Sequence, residues 1–278
     1  MTNSTQHELT LVLNGTGKTG RRVAERLAGR GVPVRVASRS AETRFDWTDE
    51  TTWPAALDGV RAVYLAYAPD LAVPGAPKAI AAFCEAAVEA GVRRLVLLSG
   101  RGESEAEVCE DIVRGCGTDW TIVRAAWFFQ NFTESDFAGY VRAGHLALPV
   151  GDVPEPFVDA DDIADVAVAA LTEDGHRGRL YELTGPRALT FAEAMGEISE
   201  LTGSEVGYGT LTPDEFTAAL EGAGVPAEEV AFLAYLFTTL FDGRNERPAD
   251  GVRRALGREP RDFRDFVREA AARGAWTA

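Results

Sequence analysis

The chain has 278 residues, of which 46% are hydrophobic, so it is long enough to bury a large core. Its formal net charge of −15 repels phosphate backbones and anionic lipid, which excludes direct nucleic-acid and membrane-surface binding. No apolar run reaches the roughly 18 residues of a membrane-spanning helix, and residues 1 to 8 lack a signal-peptide layout, so we expect a cytoplasmic protein.

The first predicted element is an apolar strand at residues 11 to 13, which leads directly into a glycine-rich turn and then a helix. Glycines in a GxGxxG spacing permit a tight positive-φ bend and let the backbone approach a pyrophosphate at the helix N-terminus. A P-loop is excluded because it requires a glycine where Val12 stands. The turn predicts a dinucleotide site whose residues are Gly15, Thr16, Gly17, Lys18, Thr19 and Gly20.

A second strand at residues 32 to 37 ends in Ser38 and Arg39, where the choice between dinucleotides is expected to be made. A carboxylate at this point would bond a ribose 2′-hydroxyl, whereas a guanidinium flanked by hydroxyls suits a 2′-phosphate. The sequence therefore favours NADP(H) over NAD(H). The alternative is that Arg39 is a solvated loop residue.

Further strands at residues 62 to 67, 95 to 99 and 120 to 123 alternate with helices. This order predicts an α/β fold with a doubly wound parallel sheet of the Rossmann type. We assign residues 9–150 to an NADP(H)-binding domain and 151–278 to a smaller, mainly helical substrate-binding portion packed on it, with an added strand near 180–184. The apolar segment 232 to 241 fits a buried core helix, a pocket wall or a dimer contact.

The carboxyl ends of the strands define the crevice in which a nicotinamide lies. We expect Ala66, Tyr67, Ser99, Gly100 and Trp127 around it. Tyr67 and Trp127 are candidate aromatic walls, with core packing as the alternative. The Ser99 hydroxyl is a candidate for holding a substrate carbonyl or the ribose, with a strand-end cap as the alternative.

Glu103, Glu107 and Glu110 lie near helical spacing. They either include a buried proton donor or form a solvated helix face, and the solvated face is favoured. His145 and His176 each follow a glycine in a predicted surface loop, and His145 is the better catalytic candidate of the two.

Two remaining clusters are interpreted structurally. The start of a helix explains the three acidic residues Asp159, Asp161 and Asp162 more simply than a metal site does, and no metal site is predicted. The three cysteines, Cys84, Cys109 and Cys116, lack ligand spacing and are expected in the core.

Several motifs together make the chain similar to the NmrA-like branch of the atypical short-chain dehydrogenase/reductases. The resemblance implies a Rossmann fold, an NAD(P)H cofactor, and Asp46 and Trp47 bordering the adenine. Asn14 stands where family members commonly have glycine, and asparagine tolerates left-handed geometry. The motifs are residues 15–22, Ser38 with Arg39, 97–100, 119–124, 128–131 and 257–260.

No tyrosine in the chain is followed by lysine at the fourth position, so the tyrosine–lysine pair that ordinary members of this superfamily use for proton transfer is absent. The family includes NADPH-dependent quinone reductases and also nucleotide-sensing regulators. The leading hypothesis is a reductase of a small apolar carbonyl, quinone or enone. The alternatives are a catalytically silent NADP(H) sensor that binds a protein partner, and an epimerase or isomerase that retains its cofactor. A homodimer or a protein partner is also considered.

Overall fold

The computed structural model describes residues 8–277, so the polar segment at residues 1 to 7 lies outside the described range. The strands are β1 (Thr10–Leu13), β2 (Val34–Ser38), β3 (Thr43–Arg44), β4 (Ala62–Leu65), β5 (Arg94–Gly100), β6 (Asp119–Ala125), β7 (His145–Leu148), β8 (Arg179–Leu183) and β9 (Gly207–Thr210). The helices are α1 (Lys18–Gly29), α2 (Trp53–Leu57), α3 (Ala76–Glu89), α4 (Ser104–Gly115), α5 (Asn131–Glu134), α6 (Phe137–Arg142), α7 (Ala160–Thr172), α8 (Phe191–Thr202), α9 (Pro213–Gly222), α10 (Ala227–Thr239), α11 (Gly251–Leu256) and α12 (Phe263–Ala272).

Seven strands form one parallel sheet in the order β3-β2-β1-β4-β5-β6-β8. The chain winds outward from β1 in one direction to β3, then returns and continues from β4 in the other direction. This is the doubly wound Rossmann order, and the predicted fold class is confirmed. The carboxyl ends of all seven strands lie at one edge of the sheet because the strands are parallel.

Helices cover both faces of this sheet, as the unbroken apolar character of its strands requires. Leu11, Leu65 and Leu97 point to one face and pack with α2, α3 and α4. Helices α1 and α7 pack against each other and against the central strands. Cys84 and Cys109 are buried and Cys116 is half-buried, in agreement with their predicted place in the core.

Contacts divide the chain into two compact units. Among the described residues, the first unit contains 8–125, 160–183 and 251–258, and therefore includes the whole parallel sheet. The second contains 126–159, 184–250 and 259–277. The single boundary at residue 150 differs from this division because the chain leaves the sheet after β6 and returns to it for α7 and β8. A strand, β8, lies near the expected residues 180–184, and it pairs in parallel with β6 in the sheet of the first unit.

The second unit is mainly helical, with a two-stranded parallel sheet of β7 and β9. Its core is rich in phenylalanine, and the predicted apolar segment 232 to 241 contributes the buried Phe237 and Phe241 to that core. Thr190 and Thr212 each form a complete capping box, at the starts of α8 and α9, as their sequences predict. None of the helices in residues 8–277 is long and apolar enough to cross a membrane.

Candidate functional site

The glycine-rich turn connects β1 to α1 and is fixed by close backbone packing. A Cβ atom on Gly15 would lie 2.6 Å from Cγ1 of Val36, and one on Gly20 would lie 2.8 Å from Cα of Gly15. Asn14 has the positive φ of this turn, 49°, so the expectation that glycine would supply the positive-φ bend was wrong. The glycines serve instead to let strand, turn and helix approach each other.

The N-terminus of α1 is arranged to receive an anion. Its N-cap is Gly17, no side chain caps its first turn, and that turn contains no acidic residue. Lys18, Arg21 and Arg22 lie there instead, although positive charge at a helix N-terminus opposes the helix dipole. Arg22 is partly committed, because Nη1 donates to the Lys18 carbonyl at 2.8 Å and Nε lies 3.3 Å from Asp161. A bound pyrophosphate would satisfy the amide groups and offset the positive charge.

Ser38, at the end of β2, organises the loop that follows it. Its hydroxyl oxygen accepts hydrogen bonds from the backbone amides of Ser40 at 3.3 Å and Ala41 at 3.0 Å. Thr16 in the glycine-rich turn also donates its hydroxyl to this oxygen, at 3.2 Å. Ser38 therefore joins the two loops that we assign to the phosphates.

Arg39 follows directly and is exposed, and within residues 8–277 it forms no ion pair. The neighbouring Arg35 is used in the fold, because its Nη1 donates to the carbonyls of Ala56 and Asp58 beside the C-terminus of α2. Asp46 holds its own turn by accepting from the amide and hydroxyl of Thr48, and these hydrogen bonds, with the charges of Arg39 and Arg44, lower its pKa. Arg39 and the exposed Arg44 are thus the arginines of this corner that no ion pair or side-chain hydrogen bond within residues 8–277 engages.

An aromatic pair stands beside these loops in the first unit. The ring centroids of Trp47 and Tyr67 are 4.8 Å apart, and the ring planes are tilted by 45°. Trp47 also contacts Phe45 and Phe83 in the buried cluster behind it, while Trp47 and Tyr67 themselves are half-buried. The neighbouring Ala66 is buried. The pair presents apolar ring surface close to the carboxyl end of β4.

The end of β5 leads into a buried ionic network that the sequence did not predict. Ser99 donates its hydroxyl to Oε1 of Glu110 at 2.8 Å, and Glu110 has no exposed surface. Arg124 donates to both carboxylate oxygens of Glu110, at 2.8 and 2.7 Å, and these bonds raise the arginine pKa. The geometry favours the structural alternative for Ser99, because its proton is already donated to a buried carboxylate.

Of the three glutamates at the N-cap of α4 and within it, two therefore do not form the solvated face that was favoured. Glu110 is buried in the network with Arg124, and Glu103 is only 8% exposed. Glu107 alone is exposed, and its carboxylate lies 3.2 Å from Arg124. Helical spacing did not reveal this burial because the covering groups come from β6 and from the loop after β4. Asp70 of that loop, which faces Glu103, was missed entirely.

The other three candidates from the sequence are Trp127, His145 and His176. Trp127 belongs to the second unit, where its ring packs 5.0 Å from Phe237, and His145 is an exposed residue at the start of β7 rather than in a loop. Their catalytic roles stay predictions. His176 was wrongly expected at the surface: it is buried, its Nδ1 lies 2.9 Å from the Tyr181 hydroxyl, and burial lowers its pKa.

The acidic cluster before and within α7 is used in ion pairs and hydrogen bonds. Helix α7 begins at Ala160, so Asp162 lies inside the first turn rather than capping it. Asp161 lies 2.6 Å from Arg26, and Asp162 lies 2.7 Å from Arg258. Asp159 accepts a hydrogen bond from Gln130. The described residues contain no cluster of three or more side chains suited to a metal ion.

Comparison with known proteins agrees with this geometry. A family model described as NAD(P)H-binding matches residues 15–174, which include the glycine-rich turn and the carboxyl ends of β2, β4, β5 and β6. The chain belongs to this NAD(P)H-binding family. The match confirms the NAD(P)H-binding fold family that the resemblance to the NmrA-like branch of the atypical short-chain dehydrogenase/reductases implied.

Two relatives and one solved structure show how far the similarity extends. An uncharacterised oxidoreductase, YesF of Bacillus subtilis (strain 168), is 34% identical over 96% of both chains. A (4-alkanoyl-5-oxo-2,5-dihydrofuran-3-yl)methyl phosphate reductase of Streptomyces griseus is 35% identical over 94% of this chain and 97% of its own. The triphenylmethane reductase of Citrobacter sp., solved with NADP(H), shares the fold with a TM-score of 0.75 at 20% identity, over 95% of this chain and 99% of its own.

Proposed function

We propose that this protein is an NADPH-dependent reductase that acts on a small apolar carbonyl, quinone or enone compound. The observation that carries the proposal is the pairing of an uncapped, basic helix N-terminus with an exposed arginine at the end of β2. These features offer two anion sites, one for the pyrophosphate and one for a 2′-phosphate. The reductases among the relatives support the reaction class.

The cofactor would be held by residues of the first unit. The glycine-rich turn, from Gly15 to Gly20, would bind the pyrophosphate, and Ser38 with Arg39 would bind the 2′-phosphate. Asp46 and Trp47 would border the adenine. Ala66, Tyr67 and Gly100, at the carboxyl ends of β4 and β5, would border the nicotinamide.

NADPH, when bound, supplies a hydride. The contribution of the chain is to bind and orient both reactants, with the half-buried Tyr67 as the candidate apolar wall beside the nicotinamide. The Streptomyces griseus relative is named for an oxo-dihydrofuran carrying an acyl group, which is an unsaturated cyclic carbonyl compound. We therefore place enones first among the substrate classes to be tested.

A sensor function is the second candidate, and one observation favours it. The Ser99 hydroxyl, which a reductase would use at the end of β5, donates to the buried Glu110. Together with the absent tyrosine–lysine pair, this leaves the usual proton-transfer groups of the superfamily unavailable. A sensor would bind NADP(H) and a protein partner and would not consume the cofactor.

The test is a binding titration with NADPH and NADH, followed by a turnover assay with 2-cyclohexenone and menadione, in which loss of NADPH absorbance is measured. The matched control is Gly17→Val, because a Cβ at this position is 3.0 Å from the Asn14 side chain and the branches beyond it enter the space proposed for the pyrophosphate. Turnover by wild type and not by the variant supports the reductase. Binding without turnover of either compound favours the sensor, and absence of binding to the folded protein overturns both.

A further inference from the structure

Glu103 has a buried carboxyl group at the edge of the sheet where the strands end. It is not among the residues that we assign to the cofactor. It is 8% exposed, and its Oε2 atom has no hydrogen-bond partner within residues 8–277. The carboxyl group lies against Gly100, the last residue of β5, in the space that a side chain at that position would occupy. A buried polar atom without a partner is costly, so its retention calls for a functional explanation.

The backbone position of Glu103 makes this orientation unusual. Glu103 is the N-cap residue of α4, where a carboxylate ordinarily accepts hydrogen bonds from the first-turn amides and is stabilised by the helix dipole. Its side chain makes no such bond. The carboxyl group is turned back over the end of β5 instead, so it lacks the interactions that would stabilise its charge.

The groups that face Glu103 are themselves acidic. Asp70, in the loop after β4, interacts with the Glu103 carboxyl by a hydrogen bond and by charge, and Glu105 of α4 adds a further negative charge. Tyr67 and Asp70 both follow β4, and Glu103 follows β5. Because β4 and β5 are adjacent parallel strands, the Asp70–Glu103 pair lies at the carboxyl ends of these two strands.

Burial, followed by the charge and hydrogen bond of Asp70, raises the pKa of Glu103 to about 9. Burial also raises the pKa of Asp70, whose Oδ1 accepts the Ala72 amide at 2.8 Å. Two neighbouring carboxyls in a buried site cannot both ionise at low cost, so one of them keeps its proton near neutral pH. The group that keeps it is Glu103, which is the more buried and has the unpartnered oxygen.

We propose that the Glu103 carboxyl is the proton donor of the reduction, with Asp70 as the residue that keeps it protonated. This inference rests on the proposed reductase function. Reduction of a carbonyl or enone adds a hydride to carbon and a proton to oxygen, or to the second carbon. Glu103 would give that proton and become a carboxylate. Transfer of the hydride would oxidise the nicotinamide, whose ring then carries a positive charge. Solvent then returns a proton to Glu103 when the oxidised cofactor departs.

The proposal links the charge of the nicotinamide to the proton on Glu103. A neutral, reduced ring leaves the carboxyl protonated, whereas the positive ring of NADP⁺ favours its ionisation. Binding of NADP⁺ should therefore release a proton from the protein, and binding of NADPH should not. Both cofactors carry the same phosphates, so any difference in proton release between NADP⁺ and NADPH binding reports the charge of the nicotinamide ring.

The experiment is calorimetric titration of the full-length protein with NADP⁺ and with NADPH at pH 8, in two buffers of different ionisation enthalpy. The number of protons released follows from the dependence of the binding enthalpy on the buffer. We expect wild type to release roughly half a proton or more per NADP⁺ bound, in excess of the NADPH value. Glu103→Gln, which copies the neutral carboxyl in shape, should bind both cofactors and lose this excess.

Two further variants complete the test. Glu107→Gln removes an exposed carboxyl from the same helix and should retain the excess. Asp70→Asn should let Glu103 ionise at lower pH, so that the pH at which release is largest falls. Equal proton release for NADP⁺ and NADPH in wild type, or an unchanged excess in Glu103→Gln, overturns the role of Glu103 and leaves the cofactor assignment intact. Failure of wild type to bind either cofactor overturns the proposed function as well.

Discussion

Replacement of Arg39 by alanine tests the cofactor assignment most directly. NADPH and NADH differ only in the 2′-phosphate, and the exposed guanidinium of Arg39 is the group that we assign to it. The substitution breaks no ion pair within the described residues, so the variant should fold as wild type does. Its effect should fall on one cofactor and spare the other.

The expected magnitude follows from the exposure of the site. A hydrogen bond to a charged group contributes about 1.5 to 3 kcal/mol, which corresponds to a factor of roughly 10 to 150 in affinity. Arg39 is exposed and lies near the Asp46 carboxylate, so water, salt and that negative charge all weaken its attraction for a phosphate. We therefore expect the lower part of the range, about a 10- to 30-fold loss of NADPH affinity.

The assay is a fluorescence titration of wild type and Arg39→Ala with NADPH and NADH at two salt concentrations. Wild type should bind NADPH more tightly than NADH, and the variant should lose most of this preference. Added salt should reduce the difference between the NADPH and NADH affinities of wild type. Arg35→Ala is the control, because Arg35 supports the carbonyls beside the end of α2 and its loss should lower stability without changing the preference. Equal loss of both cofactors in Arg39→Ala, or no loss of either, would refute the assignment.

Two further predictions concern the turn and the buried carboxyl. Gly20→Ala should strongly destabilise the protein and abolish NADPH binding, because the added Cβ would overlap the backbone of Asn14 and Gly15. Gly17→Ala should remain folded, because its Cβ would meet only Asn14, at 3.0 to 3.1 Å. Thermal unfolding and NADPH titration of both variants check this, and similar melting temperatures for the two would contradict it. Because the pKa of Glu103 is raised from 4.5 to about 9 by folding, the folded state binds its proton more tightly, and this carboxyl makes the free energy of unfolding fall as pH rises between those values. Urea unfolding at pH 5 and pH 8.5 should show a smaller pH dependence in Glu103→Gln than in wild type, and an equal dependence would show that the carboxyl ionises freely.

Local patterns in the sequence were sufficient to predict the Rossmann sheet and the cofactor turn. An apolar run followed by glycines at 15, 17 and 20, then by helical spacing, specifies a strand, a turn and a helix through the backbone alone. The same is true of the capping box at Thr190, because its hydrogen bonds join residues three positions apart. Asn14 fits this rule as well, because asparagine tolerates the left-handed conformation that it adopts in the turn.

Only the tertiary structure decided which charged residues are buried. The sequence places Glu103 and Glu110 on a polar helix, and helical spacing gives no sign that Asp70 and Arg124 cover them. These partners come from the loop after β4 and from β6, and the pairing of parallel strands brings them to the helix. Burial and electrostatic environment depend on such long-range contacts, which local sequence patterns do not encode. The cofactor residues could therefore be proposed from the sequence alone, while the choice of Glu103 among the three glutamates as the proposed proton donor required the fold.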